Sequence, residues 1–131
     1  MNTKLDKILA EISAGELIDK ITILEIKKIK ITNKDKLAHV EKELISLTET
    51  MNKYIPDSSI IENFKNDLKE INLKLWDIEN GKRLAEKKNN FDIKFIELAR
   101  NVYKSNDLRA KIKLDINNAL GSNIKEVKSH E

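Results

Sequence analysis

The stretch SAGELIDKITILEIKK, residues 13–28, carries apolar side chains most of the way round a helix, with Glu25 among them. With Leu17 set at zero on a helical wheel, Ile21 falls at about 40°, Ile18 at about 100° and Ile29 at about 120°. Glu25 falls at about 80°, inside that arc. Ile23, Leu24 and Ile26 occupy much of the opposite side. A helix apolar on so many sides is central and buried. A carboxylate there must find a cation or take up a proton. Ser13 and Glu16 form a capping box, the Ser13 hydroxyl accepting the Glu16 amide, so this helix starts at Ala14 and runs to Ile31. Residues 3–12, TKLDKILAEI, read either as a short helix or as an extended arm leading into the cap.

Two further seams follow. In TNKDKLAHVEKELISLTETMNKYI, Leu37, Val40, Leu44, Leu47 and Met51 alternate steps of three and four, the spacing of coiled-coil packing. Pro56 ends that helix. Ser59 and Glu62 form a second capping box, opening a helix from Ile60 to Lys87 with the seam Ile61, Phe64, Leu68, Ile71, Leu75 and Ile78. A short Pro-containing loop between two seams predicts an antiparallel hairpin of the second and third helices. Gly81 lies within the third, where it costs about 1 kcal/mol against Ala and marks a place for a kink or break.

The last third is predicted as two helices. Phe91, Phe95, Leu98 and Val102 form one stripe; Leu108, Ile112, Ile116 and Ala119 form another. On one straight rod Phe95 and Leu108 would lie about 220° apart. Both can face one core only if the chain turns at KSND, with Ser105 as N-cap and Asp107 in the next first turn. Gly121 is placed just past the last helix. The expectation is one all-α domain over residues 1–131, a bundle of about five helices with a long antiparallel helical hairpin and a flexible tail at 122–131.

Composition narrows the chemistry. The chain of 131 residues has 25 basic against 22 acidic side chains, no Cys, 3 Gly and 1 Pro. The absence of Cys excludes thiol catalysis, disulfides and cysteine-based zinc sites. His39 and His130 stand alone, so no metal site is expected. The cations are spread along the chain rather than gathered in a block, and nucleic acid is not an expected partner. No apolar run is long enough to span a bilayer and the N-terminus lacks a signal-peptide core, so membrane contact is not expected and the expected location is the cytoplasm.

The chain has three Arg: Arg83, Arg100 and Arg109. Arg is the better buried partner for a carboxylate, because its planar fork grips at two points. Arg109 shares the peculiarity of Glu25, lying at about 100° from Leu108, between Ile116 and Leu120. The predicted pair is Glu25 with Arg109, with Arg83 second. Such a pair is most often structural. Arg83 shares a flank of the third helix with Asn72, Trp76 and Glu79, and Glu79 and Arg83 are i,i+4 neighbours. Trp76 reads first as core edge, and Tyr103 as packing whose hydroxyl could reach a polar site. No Gly-rich phosphate loop or nucleophile elbow is present. Glu16/Asp19 and Asp67/Glu70 give a weak hint of paired magnesium-binding carboxylates. Arg83, Arg109 and Lys20 can be read as cations holding an anionic metabolite within the bundle.

Three blocks carry a family resemblance: ISAGELIDKITILEIKK, LWDIENGKRLAE and FIELARNVYKSNDLRAKIKLDINNALGSNIKEVKS. The chain resembles an uncharacterised family of small helical proteins from bacteria and phages, also found joined to tetratricopeptide repeats. The resemblance implies no activity, cofactor or ligand. It marks KSNDLRAK as a signature block and so adds Asn106, Asp107 and Lys113 to Arg109 as binding candidates. Two functions remain in play. One is a helical binding or protein-interaction module, dimeric through the hairpin. The other is a small all-α enzyme or binder for an anionic metabolite.

Overall fold

In a computed structural model, described over residues 4–128, four helices follow in order: α1 (Ala14–Lys30), α2 (Lys34–Tyr54), α3 (Ser59–Lys87) and α4 (Ile93–Leu120). His130 lies outside the described residues. Each helix start has a side-chain cap that accepts an otherwise unpaired amide. Ser13 accepts from Glu16, Asn33 from Lys36, and Asp92 from Lys94 and Phe95. The α3 cap is Ser58, one residue before the predicted Ser59, and it accepts from Ile61. Gly121 ends α4 in the left-handed conformation, φ 61°, which its missing Cβ makes easy. Residues 4–12 carry no helix, and Leu5, Ile8 and Leu9 in them are exposed.

The predicted break at KSND does not occur. Ser105 is buried in the middle of a continuous α4. The helix count is therefore four, not about five. Phe95, Leu98, Val102, Ser105, Arg109, Ile112 and Ile116 step by three and four along α4, and all are buried or half-buried. They form one continuous seam with two polar members. Leu108, the residue that suggested a change of phase, is 47% exposed. Gly81 likewise does not interrupt α3.

The long antiparallel hairpin is α3–α4, not the second helix with the third. Gly81 faces Leu98 near its closed end, and Asn72 and Arg109 meet on Asp19 further along. No Cα of α2 comes within 8 Å of α3; the backbone neighbour of α2 is α1. The predicted α2 seam packs on α1, with Val40 as its buried member.

α1 lies across the α3–α4 hairpin. Its first turn touches Lys113 and Asn117 of α4, and Glu25, ten residues on, faces Lys65 and Lys69 of α3. In the register set by Gly81 with Leu98, those two stretches lie at the same level of the hairpin. A helix crossed this way is covered on several sides, which accounts for its many apolar faces. Ile18 packs with Ile61, Leu68 and Ile71 of α3 and Ile112 and Ile116 of α4. Ile18, Leu68 and Ile116 are wholly inaccessible to solvent, each contributing about 1.5–3 kcal/mol of burial. Among the described residues, no helix is long and apolar enough to cross a membrane.

Candidate functional site

The polar centre of the fold is Asp19, not Glu25. Asp19 lies on the face of α1 that also carries Gly15, Thr22 and Ile26, and it is 0% exposed. Arg109 grips it at two points, Nε donating to Oδ1 at 2.9 Å and Nη2 to Oδ2. Asn72 Nδ2 donates to the same Oδ1 at 2.9 Å and to Thr22 Oγ1 at 2.9 Å. The Thr22 hydroxyl in turn donates to the Asp19 carbonyl at 2.7 Å. Three helices thus converge on one carboxylate. The hydrogen bond to Asp19 holds the Arg109 guanidinium above its ordinary value, against the opposing pull of burial.

One turn earlier, Lys113 of α4 donates to Glu16 at 2.7 Å and to Glu126 at 2.6 Å. Burial pushes its ammonium down. The hydrogen bonds to Glu126 and Glu16 outweigh that and hold its pKa above the usual lysine value. The first amides of α1 are satisfied within the same corner: Ser122 Oγ accepts from Ala14 at 3.2 Å, and Asn117 Oδ1 from Gly15 at 2.7 Å. Gly15 is required there, because a Cβ would run into the Lys113 carbonyl oxygen. Over its described part, the segment after Gly121 lies against α4. Lys125 donates to Asn118, and Lys128 pairs with Asp107 at 3.0 Å.

The predicted Glu25–Arg109 pair is not formed. Glu25 faces Lys65 at 3.6 Å and Lys69 at 3.9 Å, and its buried Oε1 has no hydrogen-bond partner among the described residues. Arg109 meets Asp19 because Asp19 lies on the α1 face turned to Asn72 and Arg109, about 120° round the helix from Glu25. The face that carries Glu25 looks instead to Lys65 and Lys69, at the margin of the core. The weak magnesium hint at Glu16 and Asp19 also dissolves into these ion pairs, each carboxylate being held by a cationic side chain. Among the described residues, no group of three or more metal-ligating side chains converges.

Arg109 also lines a cleft of about 440 Å³ between α1 and α3. Ile23, Ile26, Leu75 and Trp76 give it an apolar floor, and Asn80, Glu79 and Arg83 stand around it. Glu79 pairs with Lys82 at 3.3 Å rather than with Arg83. Arg83 is exposed and has no carboxylate partner among the described residues. Four sequence candidates therefore meet in one place: Trp76, Glu79, Arg83 and Arg109. Asn106, Asp107 and Lys113 lie instead along α4 beneath the C-terminal segment. Lys20 and Tyr103 are exposed and line neither place. Sequence reasoning did not single out Asn117 or Glu126, and it gave Glu16, Asp19 and Asn72 no part in this network. The available signal was the small-residue face Gly15-Asp19-Thr22, which lets a second helix approach closely.

A family model described as a family of unknown function (DUF6165) matches residues 8–131. No curated protein and no solved structure matches the chain.

Proposed function

The chain belongs to the DUF6165 family, a family of unknown function, and we propose that it is a helical binding module for a small anionic molecule with a flat or apolar body. The carrying observation is the cleft of about 440 Å³ in which Arg83 and Arg109 stand over the Trp76 floor. Its size suits a small ligand, and an apolar lining with a few convergent polar groups is the usual make-up of such sites. Asp19 occupies Nε and Nη2 of Arg109, and Nη1 makes no hydrogen bond among the described residues. Asp19 thus fixes the guanidinium in place with one donor nitrogen to spare. Arg83 supplies a second, exposed cation at the rim, and Trp76 a surface for stacking.

Thermal-shift measurements against nucleotides, sugar phosphates and aromatic carboxylates test this reading. A ligand present at a hundred times its Kd stabilises the fold by about 2.7 kcal/mol. The shift should vanish in Arg83→Ala and Trp76→Ala, neither of which disturbs the Asp19 network. A flat response across the panel for the unaltered protein would sink the proposal.

A second reading, protein interaction through the hairpin, has its own observation. Beyond the α1 crossing, Leu84, Phe91, Ile93 and Ile96 are at least half exposed near the closed end of α3–α4. Sedimentation velocity at high micromolar concentration tests self-association there, and a strict monomer removes it.

A further inference from the structure

We propose that the groove along α4 beneath residues 122–128 is a recognition site for an extended peptide with an acidic residue followed two positions later by a basic one, and that Glu126 and Lys128 occupy it as a built-in competitor. This site adjoins the cleft at Trp76, Arg109 lining both, and the proposal does not depend on a ligand in that cleft.

The C-terminal segment lies on α4 without regular secondary structure beyond the turn at Gly121. Its start is held by Ser122 accepting from Ala14, Asn123 donating to Glu11 and Lys125 donating to Asn118, and its last described residues by complementary charges at two points. Glu126 reaches Lys113 at 2.6 Å, and Lys128 reaches Asp107 at 3.0 Å. The chain between them contributes little, since Val127 is 86% exposed. At residues 126–128 the groove thus reads a pattern, acid then any residue then base, and reads it by charge.

Three observations say that the groove is built for a better occupant. Lys113 is a built anchor, its side chain only 8% exposed and its second carboxylate, Glu16, supplied by α1. A desolvated ammonium of this kind discriminates strongly between a carboxylate and a neutral group. The present segment also leaves space on both sides of the Lys113–Glu126 contact, in hollows of about 410 and 310 Å³. Finally, Asn117 lines the second hollow and is 1% exposed, and its Nδ2 donor has no partner among the described residues. A ligand with a backbone carbonyl or second carboxylate beside its acidic residue would satisfy that donor. A resident segment that fills the anchor and leaves a neighbouring donor unpaired is one a better-fitting peptide can displace.

The test uses the full chain and a fluorescent peptide, GSNIKEVK, corresponding to residues 121–128. Anisotropy titration is run on the unaltered protein and on Glu126→Gln/Lys128→Gln, whose own segment no longer competes. A tethered competitor acts at an effective concentration in the millimolar range, so removing its charges should tighten peptide binding by at least about tenfold. The charge-swapped peptide GSNIKKVE should bind at least about tenfold more weakly than GSNIKEVK, and Asp107→Lys, a surface change, should weaken GSNIKEVK binding. Equal affinity for the two proteins would overturn the proposal, as would equal binding of the two peptides or no binding to the double variant. A circular-dichroism melt confirms that each variant is folded before titration.

Discussion

Arg109 on α4 and Asp19 on α1 are joined by two hydrogen bonds, and their exposures are unequal: the carboxylate is wholly buried, while the guanidinium side chain is 28% exposed. Removing either partner strands the other, and the two losses should differ. Arg109→Ala leaves a carboxylate with no route to water and only Asn72 to satisfy it, a loss of about 3–5 kcal/mol. Asp19→Ala leaves a guanidinium that can turn toward the cleft and hydrate, a loss of about 1–3 kcal/mol. A double-mutant cycle in urea should then show the paired change well below the sum of the two. Additive losses would mean that the contact contributes nothing of its own.

Glu25 should behave in the opposite way. Its nearest cations stand at 3.6 and 3.9 Å, beyond good hydrogen-bond distance, and its Oε1 accepts no hydrogen bond among the described residues. Half-exposed pairs of this kind are worth about 0–1 kcal/mol. Glu25→Leu should therefore leave the urea midpoint unchanged or raise it, since it replaces an unsatisfied acceptor by apolar area among Ile residues. A loss above about 2 kcal/mol would show that Lys65 and Lys69 hold the carboxylate firmly.

The contrast between Asp19 and Glu25 also marks what the sequence could convey. That α1 is central follows from its apolar residues alone, and so does the α2 seam. Which acid is buried depends on which face of α1 meets Asn72 and Arg109, and the crossing direction that decides it is not written in any periodicity. The same limit explains the α4 misreading. Its seam passes through Ser105 and Arg109, so a search that counts only apolar positions loses the phase there and substitutes Leu108. The candidates Trp76, Glu79 and Arg83 were legible as one flank of a helix. Their meeting with Arg109 was not, because it requires knowing that α3 pairs with α4 rather than with α2.

Lys113 makes stability depend on alkaline pH. Its folded pKa lies above the ordinary value of 10.5, the hydrogen bonds to Glu126 and Glu16 outweighing the larger single effect of burial. A raised pKa means that the folded state holds the proton more tightly than the unfolded chain. The contribution is complete below the unfolded value and is lost as pH rises through the folded one. Lys113→Met keeps the apolar stem and returns Glu16 and Glu126 to water, a loss of about 1 kcal/mol at neutral pH. The gap in urea midpoint between the two proteins should stay level from neutral pH to about 10 and narrow above 10.5. A gap that does not narrow would mean that the ammonium is not engaged.

Two helical glycines offer a last comparison, because the same substitution should have opposite signs at them. Ala is favoured over Gly inside a helix by about 1 kcal/mol wherever a Cβ has room. At Gly81 an added Cβ would lie 3.2 Å from the end of the Leu98 side chain, which can shift by a few tenths of an ångström. Gly81→Ala should thus stabilise the protein by up to about 1 kcal/mol. At Gly15 the obstacle is the Lys113 carbonyl oxygen, part of a helix backbone, with Asn117 Oδ1 3.0 Å away on the same side. Neither can move without separating α1 from α4. The same shift would break the Gly15 amide bond to Asn117 and loosen Glu16 on Lys113. Gly15→Ala should cost about 1–3 kcal/mol as overpacking, despite its better helix propensity. Thermal melts of the two single variants decide the matter. A stabilised Gly15→Ala protein would show that the first turn of α1 does not sit this close to α4, and the Lys113 corner would have to be redrawn with it.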